Sequence, residues 1–122
     1  MKKIINILSQ NLIMITRKQY VESLDLAIKA LNICNNIHER TGAMKVPLID
    51  VAEEIGKGTT KKHIQDGFWI LVEMEVIGDD GDYDHMNYDD GNNELSELLQ
   101  EIIIEEQTKD QEEIILSSHQ TF

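Results

Sequence analysis

Oxygen ligands crowd one segment of this chain. The stretch DDGDYDHMNYDD, residues 79–90, holds six aspartates and a histidine, and calcium binding is the first chemistry such a composition raises. An EF-hand loop needs carboxylates at alternating places, a glycine at the sixth and a glutamate at the twelfth. Counted from Asp80, the sixth residue is His85 and the twelfth is Gly91, so the motif fails and no metal site is expected. Cys34 and His38 lie four apart, on one face of a helix, but two ligands are half a zinc site and no second pair lies nearby. A core cysteine beside a helix-end histidine accounts for both. The other histidines, His63, His85 and His119, fall on different elements. With no nucleophile motif and no glycine-rich phosphate loop, the expectation is a protein that is not an enzyme and has no cofactor.

Charge is the stronger signal. The net charge of the 122-residue chain is −12, and it is polarised. Residues 1–63 carry ten Lys/Arg against six Asp/Glu, whereas residues 64–122 carry one lysine against seventeen Asp/Glu. Such polarity points to a partner surface more than to catalysis. At 41% apolar and 28% charged residues, the composition is that of one ordinary globular domain. The opening MKKIINILSQNLIMI pairs lysines with an apolar stretch, but Asn6, Ser9, Gln10 and Asn11 interrupt it and no small-residue cleavage site follows. No run is long enough to span a bilayer. One cysteine excludes an intramolecular disulfide framework. A cytoplasmic protein with no membrane contact is expected.

The elements that position these residues follow from periodicity. Ile4, Ile5, Leu8, Leu12 and Ile15 make one face of a helix over 2–15. Thr16 with Gln19 is a capping-box pattern that starts a second helix. Its stripe is Tyr20, Leu24, Ala27, Leu31 and Cys34, widened by Ile28, Ile33 and Ile37, so packing on two sides is expected. Gly42 ends it, with Arg40 in the last turn. Extended chain before Pro47 leads to a short helix on Leu48, Val51, Ala52 and Ile55, closed by the glycines of GKG. Thr59 or Thr60 caps the next helix, whose apolar positions are Ile64, Phe68 and Leu71. FWILVEMEV also alternates like a strand; the capped start favours helix to about Met74 and a strand at Val76–Ile77. Residues 78–91 read as a hairpin loop or a disordered loop. Asn92 or Asn93 caps a final helix with Leu95, Leu98, Leu99, Ile102 and Ile103 as its stripe. Past Glu105 the chain is polar except for Ile114, Ile115 and Leu116.

The phrase VPLIDVAEEIGKGTTKKHIQDGFWILVEMEVI resembles a winged helix-turn-helix domain, over residues 20–91. Ala52 matches the small residue that lets the two helices approach, and Ile55, Ile64, Phe68, Leu71 and Ile77 match core positions. The resemblance implies a mostly α fold with a small β-hairpin wing, flanked by N- and C-terminal helices. It divides the chain into a winged-helix domain with its N-terminal helices at 1–91 and an acidic helix and tail at 92–122. It also implies that the second helix of the unit enters a DNA major groove. Lys57, Thr59, Thr60, Lys61, Lys62, His63 and Gln65 would then be the nucleic-acid-binding set, with lysines for phosphates and Gln and Thr for bases.

The wing departs from that pattern. Asp79, Asp80, Asp82, Asp84, Asp89 and Asp90 occupy it with no basic residue, where phosphate neutralisation should supply affinity. Two functions follow. In the preferred one, the acidic wing and C-terminal half bind a protein partner with a basic surface, through Asp79, Asp80, Asp82, Tyr83, Asp84, Tyr88, Asp89 and Asp90. Such a protein would suit a mobile-element-encoded inhibitor or regulator of a host nucleic-acid-handling factor. The alternative is a DNA-binding transcription regulator that reads the groove with the helix from Thr59. A homodimer is expected in either case, through Trp69, Leu95, Leu98, Leu99, Ile102 and Ile103, because tryptophan and apolar helix stripes mark such interfaces.

Overall fold

The computed structural model describes residues 14–108 and 114–116. Strand β1 (Met14–Thr16) leads into helix α1 (Arg17–Thr41). There follow β2 (Lys45–Pro47), α2 (Leu48–Ile55), α3 (Lys61–Glu73), β3 (His85–Asn87), α4 (Asn92–Gln107) and β4 (Ile114–Leu116). The fold is mostly α, with two small antiparallel sheets, β1–β4 and β2–β3.

α1 starts where its capping box dictates. The Gln19 N–H donates to Thr16 Oγ1 at 3.0 Å while the Thr16 N–H donates to Gln19 Oε1 at 2.9 Å, which satisfies two otherwise orphaned donors. Thr16 is itself extended, so the chain entering α1 forms a strand. The helix expected over 2–15 is therefore corrected at its end: residues 14–16 pair with 114–116. Ile4, Ile5, Leu8 and Leu12 lie outside the described residues. Gly42 ends α1 in the left-handed region, with His38 and Arg40 in the last turn.

α1 is the axis of the molecule, about 37 Å long at 1.5 Å per residue. Its wide apolar face packs on both α4 and α3, as the breadth of the stripe requires. Leu24, Ala27, Ala30, Leu31, Cys34 and Ile37 are buried there. Gly67 of α3 also faces α1, and a Cβ at this position would stand 3.3 Å from Leu26 Cδ2; the missing side chain lets the two helices close. α4 runs antiparallel to α1. At one end Asn92 Nδ2 donates to Asn35 Oδ1 at 3.1 Å and Asn35 Nδ2 donates to Asn93 Oδ1 at 3.0 Å. At the other, Arg17 and Glu106 form a buried ion pair. Asn92 and Asn93 thus tie two helices together, and the N-cap itself is Gly91.

The β-hairpin wing is not formed. β2 pairs with β3 in the register Lys45↔Asn87, Val46↔Met86, Pro47↔His85, joining segments far apart in sequence. Val46 and Met86, opposite each other, are both buried. The Leu48 N–H donates to the Asp84 carbonyl and the Tyr88 N–H to the Met44 carbonyl, extending the ladder at each end. The strand expected at Val76–Ile77 is absent because α3 ends in a Schellman turn. The Val76 N–H donates to the Leu71 carbonyl and the Glu75 N–H to the Val72 carbonyl, both at 2.9 Å, which reverses the chain directly after the helix. The residue at the turn is Glu75, with φ 61°, where glycine is usual. Glu75→Gly is therefore expected to raise stability by about 0.5–1 kcal/mol in denaturant unfolding, since an exposed side chain leaves a strained φ. Unchanged or lower stability would mean that Glu75 makes a stabilising contact of its own.

Candidate functional site

The acidic loop and the basic helix, adjacent in sequence, face each other in space. Thr60 caps α3: its hydroxyl accepts the His63 N–H at 3.2 Å while His63 Nδ1 receives the Thr60 N–H at 3.0 Å. His63 is thereby a capping residue. Lys61 pairs with Asp84, Lys62 with Asp66 one turn on at 3.1 Å, and Gln65 Nε2 donates to the Tyr83 carbonyl at 2.5 Å. Lys45, from β2, reaches Asp82 at 3.4 Å. Of the expected nucleic-acid set, Lys57 is exposed in the turn before α3 and Thr59 is half-buried, while Thr60, Lys61, Lys62, His63 and Gln65 are all engaged within the chain.

The aspartates build the loop. Asp79 Oδ1 accepts the Gly81 N–H, Asp80 Oδ1 the Asp82 N–H and Asp82 Oδ1 the Asp84 N–H, at 2.9, 2.9 and 3.0 Å. Each carboxylate thus closes a turn on the backbone two residues ahead. The Tyr83 hydroxyl donates to Asp79 Oδ2 at 2.9 Å, which pushes the Tyr83 phenol pKa upward. Asp82 is the most engaged. The Asp84 backbone N–H first, then His85 and Lys45, outweigh partial desolvation and hold its carboxyl at about 2. It is ionised throughout the physiological range.

The expected partner-binding residues divide into two groups. Asp79, Asp80, Asp82, Tyr83 and Asp84 form the loop over the start of α3. Tyr88, Asp89 and Asp90 stand at the entry to α4. Tyr88 stacks on His38 with ring centroids 3.7 Å apart, and burial raises its pKa first, then Asp90. Asp89 Oδ1 accepts the Gly91 N–H at 2.7 Å. His38 also has Nδ1 2.8 Å from the Ala43 carbonyl, and Cys34 is fully buried with its thiol pKa pushed up by that burial. Both therefore serve structure. Among the described residues no group of three or more His, Cys, Asp or Glu is arranged to hold a metal ion.

Between α3, α4 and the acidic loop lies an open groove of about 680 Å³. Phe68, Trp69 and Val72 of α3 form one wall and Leu95 and Leu99 of α4 contribute to the other, over a floor that includes Leu31, Leu48 and Met86. Asp66, Asp79, Asp80, Asp82 and Asp89 also line it. The sequence missed this groove because Phe68 read as core and Met86 as part of a loop, and only the pairing of β2 with β3 brings Met86 beneath α3.

The expected oligomer interface is broken up. Leu99 is fully buried in the chain's own core, and Leu95, Ile102 and Ile103 pack partly against that core. Only Trp69 and Leu98 of the six are exposed, 47% and 46%. The α4 stripe meets α1, which is why it is apolar. No described helix is long and apolar enough to cross a membrane. Comparison with protein-family models, curated proteins and solved structures finds no match to the chain.

Proposed function

We propose that this protein is a non-enzymatic protein-binding module on a helix-turn-helix scaffold, acting in the cytoplasm, whose acidic loop docks on a basic surface of a partner. One observation carries the reading: Asp84 and Asp82 pair with Lys61 and Lys45 while Tyr83 accepts from Gln65. Lys61 and Gln65, two of the side chains that a DNA-reading helix would offer to phosphates and bases, are thus answered by the protein's own loop. Asp79 and Asp80 are exposed on that loop, and their charge opposes a phosphate backbone that comes near it. Charge complementarity of this kind serves association rate and partner choice. The winged-helix likeness rests on the order α1, β2, α2, α3, β3 and on β2–β3 pairing, with a compact loop where the hairpin would be. An inhibitor or regulator of a nucleic-acid-handling factor fits such a face, since that factor's own surface would be basic.

Fluorescence anisotropy with random-sequence duplex DNA across a salt series tests the reading. No measurable binding is expected near physiological salt, because the carboxylates of the loop beside α3 oppose a phosphate backbone. Micromolar binding with a steep salt slope, weakened by Lys61→Ala with Lys62→Ala, would overturn it in favour of a DNA-binding regulator.

A further inference from the structure

We infer that the groove between α3, α4 and the acidic loop is a receptor for a cationic amphipathic helix of the partner. The inference rests on the reading that this face meets a basic protein surface, and names the form of the segment that does so. Three observations support it.

The first is the apolar wall. Phe68, Trp69 and Val72 of α3 are partly exposed to the groove, over a floor closed by the buried Leu31, Leu48 and Met86, so an occupant must bring apolar side chains of its own. Charged side chains alone would leave this surface wet and unused. The second is the rim. Five aspartates and His85 line the groove with no lysine or arginine among the lining residues. Asp79, Asp80 and Asp89 form no salt bridge among the described residues. Their carboxylate oxygens accept from turn N–H groups but keep lone pairs for a further donor. The occupant is therefore apolar on its inner side and cationic on its flanks. The third is the nature of the walls. Both are helices, whose backbone groups are already bonded within each helix, so the walls offer side chains. An amphipathic helix needs only such an apolar trough for its i, i+3, i+4 and i+7 anchors.

Trp69 is the single tryptophan of the chain, and it stands 47% exposed on the α3 wall. It reports occupancy of the groove directly, since covering it transfers the indole from water to apolar surroundings.

The full chain is titrated with three synthetic peptides that lack tryptophan, each about four helical turns long. One carries leucines on one face and lysines on the other; the second is oligolysine of equal charge; the third keeps the leucines and replaces every lysine with glutamine. The leucine/lysine peptide is expected to saturate with a blue shift of Trp69 emission and to bind at least about tenfold more tightly than either comparator. Oligolysine binding as tightly, with Trp69 emission unchanged, would overturn the groove receptor and leave the acidic docking face standing. Equal affinity for the leucine/glutamine peptide would instead overturn the role of the acidic rim. Absence of binding by all three would overturn both.

Discussion

Replacing Leu71 with alanine is expected to lower the unfolding free energy by about 3–4 kcal/mol. Leu71 is fully buried on the inner face of α3, in one core with Leu24, Val46, Val51, Ile64 and Leu99. That core draws on α1, β2, α2, α3 and α4, so a hole at Leu71 cannot be closed by shifting one element alone. Its carbonyl also accepts the Val76 N–H of the Schellman turn, so the residue stands where α3 hands the chain to the acidic loop. A domain of this size is stable by about 5–15 kcal/mol in total, which makes the change a large share of the whole. Leu98→Ala is the control: a leucine 46% exposed has little transfer energy to lose, and a loss within about 0.5 kcal/mol is expected. Denaturant unfolding of both variants decides the matter. A Leu71→Ala loss no greater than that of Leu98→Ala would show that α3 does not pack on this core.

The parts of this fold that were legible in the sequence are those whose physics is local. Thr16 with Gln19, Thr60 at the start of α3 and Gly42 at the end of α1 are caps, each bonding a backbone group within four residues. The broad stripe of α1 announced two packed sides for the same reason, since helical spacing is set by the chain itself. What was not legible depends on distant pairing. The strand reading of residues 76–77 failed because Glu75 takes a left-handed turn without the glycine that usually marks one. β2 and β3 find each other across the whole of α2 and α3, and no pattern in KVP or HMN announces a register. The candidate site suffered most. The loop with its six aspartates read as a hairpin or as disordered, whereas Asp79, Asp80 and Asp82 each close a backbone turn. Lys61 and Asp84 lie far enough apart in sequence that their pairing appears only once the loop folds back over α3. The α4 stripe looked like an interface because a face that covers another helix and one that covers another chain have the same spacing.

Replacing Asp79, Asp80, Asp82 and Asp84 together with asparagine is expected to slow partner association by at least about tenfold, with the salt dependence of the on-rate falling in parallel. Asparagine keeps the side-chain oxygen that accepts the Gly81, Asp82 and Asp84 N–H groups, so the turns survive while the charge goes. The pairs lost with it, Lys61–Asp84 and Lys45–Asp82, each set a solvent-exposed lysine against a loop carboxylate and contribute little to stability, so the fold persists. The corresponding alanine variant removes acceptor and charge together and separates the two roles: loop geometry fails only in alanine, electrostatic docking fails in both.

Capture from cell extract on immobilised wild-type and four-asparagine chains, quantified over a salt series, tests whether the acidic loop is the contact surface. The wild-type chain is expected to retain a basic protein whose recovery falls with salt, and the asparagine chain, with an unchanged circular dichroism spectrum, to lose at least about nine-tenths of it. Equal recovery of the same protein by the well-folded asparagine chain would contradict the claim and move the contact to the helix beginning after Thr60.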